Sequence, residues 1–201
     1  MQPHITILLV NTVQPGPFED FKASLEPVGV QVDIVRREPP GPMAAIEWLV
    51  PTFVVGFVAS AYFGGFFQEM GKDHYLAVKA RFHKLYDSVA GPKSPTISLV
   101  GTEGKVRGQQ PYSLYFSLVG EGPGGLRFKL LLRRPVTEEE FCRSVDAFLD
   151  FLLEVQTSTP RPDLVRRLAE AKPMGQTMLL VYHPETDSIA PINPRTGEVV
   201  R

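Results

Sequence analysis

Gly101-Thr102-Glu103-Gly104-Lys105 ends in Gly-Lys, the pair that stands near the end of a phosphate-binding loop. That turn needs four residues between its glycines, Ser or Thr after the lysine, and a helix whose first amides meet the phosphate. Here only Thr102 and Glu103 lie between the glycines, Val106 follows the lysine, and Gly108 and Pro111 discourage a helix. A hairpin turn with Gly104 at positive φ fits better. The glycine-rich run at 120–125 reads likewise as a hairpin tip rather than an anion cradle.

Glu69, Asp73 and His74 come together in sequence where an apolar segment ends. On a continuous helix Glu69 and Asp73 would share a face and, with His74, offer metal ligands or an acid/base pair. Gly71 interrupts that helix, so solvated capping residues are the plainer reading. Cys142 falls in the first turns of a helix, where the dipole lowers a thiol's pKa. No histidine accompanies it in a local signature, and a structural cysteine is expected. Arg127, Lys129 and Arg133 alternate along a strand, with Arg134 beside them, and form a basic face able to contact anions. His4, His83 and His183 have no metal-ligand spacing, and neither G-x-S-x-G nor H-E-x-x-H occurs. No catalytic residue, metal site or cofactor is assigned.

Composition narrows the class. With 43% hydrophobic and 21% charged residues in 201, the chain is globular and long enough for one sizeable core. A net charge of -1 argues against general nucleic-acid binding. The single cysteine excludes an internal disulfide, and the first residues lack the pattern of a secretory signal; both point to the cytoplasm.

What must hold these groups is organised around residues 48–67, WLVPTFVVGFVASAYFGGFF, which carry no charge. Such a run reads as a helix, long enough to cross a bilayer or buried on all sides in a folded core. Pro51 and Gly64-Gly65 shorten it. Gly56, Ser60 and Gly64 recur at helical spacing as a small-residue packing stripe that admits another backbone closely. Topology favours the folded core: residues 5–10 (ITILLV) read as a strand buried on both faces, and most of its candidate neighbours lie beyond the apolar stretch.

In chain order, a strand at 5–11, a helix at 18–25 and an alternating strand at 30–36 suggest a parallel β-α-β unit. A surface helix is expected over 72–90. Strands follow at 96–100, 112–119 and 126–134, read as antiparallel sheet. Thr137 and Glu140 form a capping box that opens a helix to 155. A short charged helix at 163–172 precedes a terminal hairpin at 178–182 and 189–192. The expected architecture is one α+β domain over 1–201: a mixed sheet of the β-α-β unit plus antiparallel hairpins. A very apolar helical segment at 43–70 and amphipathic helices cover it, and 173–201 form a C-terminal hairpin appendage.

Three functions compete. The first is a non-catalytic interaction or regulatory protein, with the apolar helix in its core or against a protein partner or second copy. The second is a membrane-inserting or membrane-associated protein using 48–67. The third is an enzyme whose site is assembled from dispersed loops around Asp73, His74 and Lys105.

Overall fold

The computed structural model describes residues 3–38, 55–59, 72–95, 111–156, 166, 168–171, 173–194 and 197–199. Ile5–Val10 is strand β1, Gly16–Leu25 is helix α1 and Val32–Arg37 is strand β2. Alternation sets β1: Ile5, Ile7 and Leu9 are buried on one face. Pro17 occupies the first turn of α1, where its missing N–H has no helical partner to lose, and Phe18, Phe21 and Leu25 form the buried stripe. Gly29, at φ 76°, provides the left-handed turn into β2. β1 and β2 pair in parallel from Ile5 beside Val32 to Val10 beside Arg37, as the β-α-β reading expects. His4 fastens the start of the pair, its Nδ1 accepting the Gln31 N–H at 2.9 Å. Burial lowers the pKa of that imidazole, which suits a ring nitrogen used as an acceptor.

The apolar stretch differs from expectation. Val55–Ala59 is a strand, β3, and not part of a helix. It runs antiparallel to β1 and parallel to β4, Tyr112–Glu121. A strand paired on both sides can be apolar at every position, and such a run has no period to tell it from a buried helix. Phe57 and the β-branched Val55 and Val58 suit the strand. Gly56 pairs with Leu8 on one side and Ser117 on the other, so it does not begin a helical packing stripe. Ser60 and Gly64 lie outside the described residues, as does the expected strand at 96–100. Among the described residues no helix is long and apolar enough to cross a membrane.

Between β3 and β4 come α2, Lys72–His83, and the short α3, Tyr86–Val89; the single helix expected over 72–90 is interrupted at Lys84-Leu85. β4 pairs antiparallel with β5, Arg127–Arg133. Helix α4, Glu138–Gln156, then carries the chain to β6, Thr177–His183, which lies parallel to β5 and antiparallel to β7, Ser188–Pro191. The fold is α+β, built on one mixed sheet in the order β2-β1-β3-β4-β5-β6-β7. The C-terminal hairpin is therefore no appendage, because β6 is an interior strand. The antiparallel pairing expected of 112–119 with 126–134 is found between β4 and β5, each of which also has one parallel neighbour, β3 and β6.

Helices α1, α2 and α4 share one hydrophobic core with Ile5, Ile7, Phe116, Leu118, Phe128 and Leu130 of the sheet. Phe21 of α1 meets Phe82 of α2 edge-on at 4.9 Å, and Phe128 of β5 meets Phe151 of α4 at 4.9 Å. A smaller cluster, Leu131, Leu179, Val181 and Ile192 with Tyr112, is buried separately. Odd-numbered Leu131, Leu179 and Val181 stand on the sheet face opposite Leu130 and Leu180.

Two substitutions probe this packing. A Cβ on Gly120 would lie 2.2 Å from Leu152 Cδ2 and 2.6 Å from Cδ1, with Leu152 itself only 2% exposed. Gly120→Val is expected to lower stability by about 2–3 kcal/mol in chemical denaturation, through overpacking between β4 and α4. The capping box stands as read from sequence: Thr137 Oγ1 accepts the Glu140 N–H at 3.2 Å, and Glu140 Oε2 accepts the Thr137 N–H at 3.2 Å. Thr137→Ala is expected to cost about 1 kcal/mol; an unchanged denaturation midpoint would mean that the cap does not hold the start of α4.

Candidate functional site

Helix α2 places Tyr75, Lys79 and His83 one turn apart on one side, and α4 places Asp146 and Asp150 likewise. The two helices pack antiparallel, so these rows meet along one seam. Tyr75 Oη donates to Asp150 Oδ1 at 2.7 Å, and Lys79 Nζ donates to both Asp150 oxygens at 2.8 Å. The Lys79 ammonium also lies 4.8 Å from the Tyr75 ring centre. One turn along, His83 Nε2 and Asp146 Oδ1 are 2.8 Å apart. The Lys79 side chain is 11% exposed and that of Asp150 is 57%, so the seam runs at the rim of the core.

A tyrosine and a lysine at this spacing would make a general base if the ammonium stabilised a phenolate. The opposite holds here. Burial first, then the hydrogen bond to Asp150 and the Asp150 and Asp146 charges, push the phenol well above its ordinary range. Tyr75 therefore stays protonated, and Lys79 is committed to Asp150. Among the described residues the hydrogen bonds of His83 and Asp146 lead to each other and to no nucleophilic hydroxyl or thiol. Cys142 lies one turn before Asp146 and is a poor nucleophile. Burial, then the Glu138 and Asp146 charges, raise its pKa, against the lowering expected from the helix N-terminus. The acidic first turn of α4, Glu138, Glu139 and Glu140, accompanies that reversal.

The other groups picked out from sequence are dispersed. Asp73 and His74 are exposed in the first turn of α2, while Glu69 and Lys105 lie outside the described residues. Among the described residues no group of His, Cys, Asp and Glu side chains could hold a metal ion. The basic face is split. Arg127 and Arg133 are exposed at the two ends of β5, with Arg127 opposite Glu121 of β4. Lys129, between them, is only 8% exposed. Burial, helped by the Arg37 charge, lowers its pKa to about 8. No family model, curated protein or solved structure matches this chain.

Sequence reasoning missed Arg37, which follows the alternating residues of β2 and shares a face with Asp33 and Val35. It also missed the α2–α4 seam, whose signal was the spacing of Tyr75, Lys79 and His83 against Asp146 and Asp150. A further cleft of about 270 Å³ separates α1 from α2, lined by Phe21 and Leu85 and by the polar Asp20, Ser24, Arg81 and Lys84. Arg81 is engaged there, with Nη1 donating to the Ala77 carbonyl at 2.7 Å and Nε to the Ser24 carbonyl.

Proposed function

We propose that this chain is a non-catalytic interaction or regulatory protein of the cytoplasm, and that its partner surface is the outer edge of β2. One observation carries the reading: among the described residues β2 ends the sheet, and Asp33, Val35 and Arg36 are exposed on it. An outermost strand offers backbone donors and acceptors to an added strand. The other sheet edge, β7, is short, and the chain beyond it folds back through an Ile192–Val199 bridge. The acid/base groups of the α2–α4 seam satisfy one another, which supports a structural use. The membrane reading is weakened because β3 takes part of the apolar stretch into sheet pairing on both sides.

A photo-crosslinking residue at position 35, compared with one at 76, tests the proposal in cells. Leu76 is the other exposed large apolar residue among those described, 50% exposed on α2 against 41% for Val35. Protein adducts are expected at 35 and not at 76. Equal labelling at both, or none at 35, would contradict the edge as partner surface.

A second reading, an enzyme with a dispersed loop-built site, is favoured by Lys129. An amine with its pKa near 8 is partly neutral at physiological pH and can act as a base or nucleophile. Rapid, pH-dependent acylation of Lys129 by a small activated ester would support it; labelling no faster than at exposed lysines would remove it.

A further inference from the structure

The cleft between α1 and α2 carries both signs of charge on its walls and no ion pair across it. Asp20 from α1 and Arg81 and Lys84 from the α2 side line a space of about 270 Å³, with the apolar Phe21 and Leu85 beside them. The ion pairs among the described residues join Lys79 to Asp150, His83 to Asp146 and Arg143 to Glu139, so none joins Asp20 to either cation of the cleft. Asp20 and Lys84 are exposed, and among the described residues neither side chain has a hydrogen-bond partner. Arg81 is held in place. Its Nη1 donates to the Ala77 carbonyl of its own helix at 2.7 Å, and its Nε donates to the Ser24 carbonyl of α1. Both acceptors are neutral, so the guanidinium keeps its charge, and a guanidinium has donors beyond the two used here.

Such a lining selects by charge. A plain anion would meet Asp20, and a plain cation would meet Arg81 and Lys84. A molecule that carries both signs close together suits all three. The space equals about nine waters at roughly 30 Å³ each, and it falls just below the roughly 300–1,000 Å³ of drug-sized sites. It therefore admits a small molecule rather than a peptide. We propose that this cleft binds a free α-amino acid with an apolar side chain. Lys84 and Arg81 receive the carboxylate, Asp20 receives the ammonium, and Phe21 and Leu85 meet the side chain. None of these groups belongs to β2, so the cleft and the partner edge stand or fall separately.

The test is amide NMR of the full chain titrated with L-leucine and with two analogues. One is 4-methylpentanoate, which lacks the amine; the other is 3-methylbutylamine, which lacks the carboxylate. Saturable shifts at Asp20, Ser24 and Lys84 are expected with L-leucine, and each analogue is expected to bind at least about fivefold more weakly. Asp20→Asn and Lys84→Gln alter exposed positions and should leave circular dichroism unchanged. Asp20→Asn is expected to weaken L-leucine at least about fivefold and 4-methylpentanoate not at all, whereas Lys84→Gln weakens both. Should a variant lose its fold, the two analogues decide on the unaltered chain. The proposal is overturned if millimolar L-leucine gives no saturable shifts, or gives them only elsewhere in the chain. Equal binding of L-leucine and either analogue overturns it too.

Discussion

Phe141→Ala is expected to cost about 3–5 kcal/mol, the range for deleting a fully buried aromatic side chain. Phe141 is 0% exposed. Its ring lies 5.8 Å from that of Phe116 on β4 and 5.6 Å from that of Tyr86 on α3, so one side chain joins α4 to the sheet and to the α2–α3 connection. The cavity left by alanine cannot close without moving elements on two sides. The loss should appear as a lower midpoint in urea with an unchanged slope. A change below about 1 kcal/mol would mean that the ring is not in the core.

Lys129→Met is expected to act in the opposite direction, stabilising the protein by about 2–3 kcal/mol at pH 7. Lys129 is 8% exposed, and burial together with the Arg37 charge brings its pKa from 10.5 to about 8. That interval corresponds to about 3 kcal/mol of cost to the folded state while the amine is protonated in both states. The sign follows from proton counts. Between pH 8 and 10 the unfolded chain holds the Lys129 proton and the folded chain has released it, so raising pH favours the fold. The cost is present in full below pH 8 and fades as pH rises toward 10. Above pH 10 the raised phenols of Tyr75, Tyr112, Tyr115 and Tyr182 act oppositely, because the fold then retains their protons. The difference between the unaltered chain and Lys129→Met removes that common background. It should shrink from pH 8 to pH 10. A difference that does not change over this window would contradict a depressed Lys129.

Where a residue's surroundings are local, the sequence was a sufficient guide. The alternation of β1, the buried stripe of α1 and the capping box of α4 all rest on neighbours within a turn or a pleat. Residues 55–59 show where such guidance ends, since an apolar run without period suits both an interior strand and a buried helix. The parallel pairing of β6 with β5 was missed because a short β6–β7 turn suggests a hairpin and says nothing of the third strand beside it. Lys129 is buried although its strand spells a basic face able to contact anions, because alternation names a face but not what covers it. The α2–α4 seam needed two helices to be placed against each other. No local motif joins Tyr75 and Lys79 to a carboxylate more than seventy residues away, at position 150.

β3 holds the whole account together. Without it, β1 and β2 would be separated from β4 to β7, and β2 would not be the end of one continuous sheet. The most direct test is a set of cross-strand proton contacts measured by NMR on residues 55–59. The account predicts backbone contacts between Val58 and Thr6 across the antiparallel pair and between Phe57 and Leu118 across the parallel one. Contacts of the i to i+3 kind through Val55–Ala59, with no cross-strand partners, would restore the helix and contradict the sheet order on which the proposed partner edge depends.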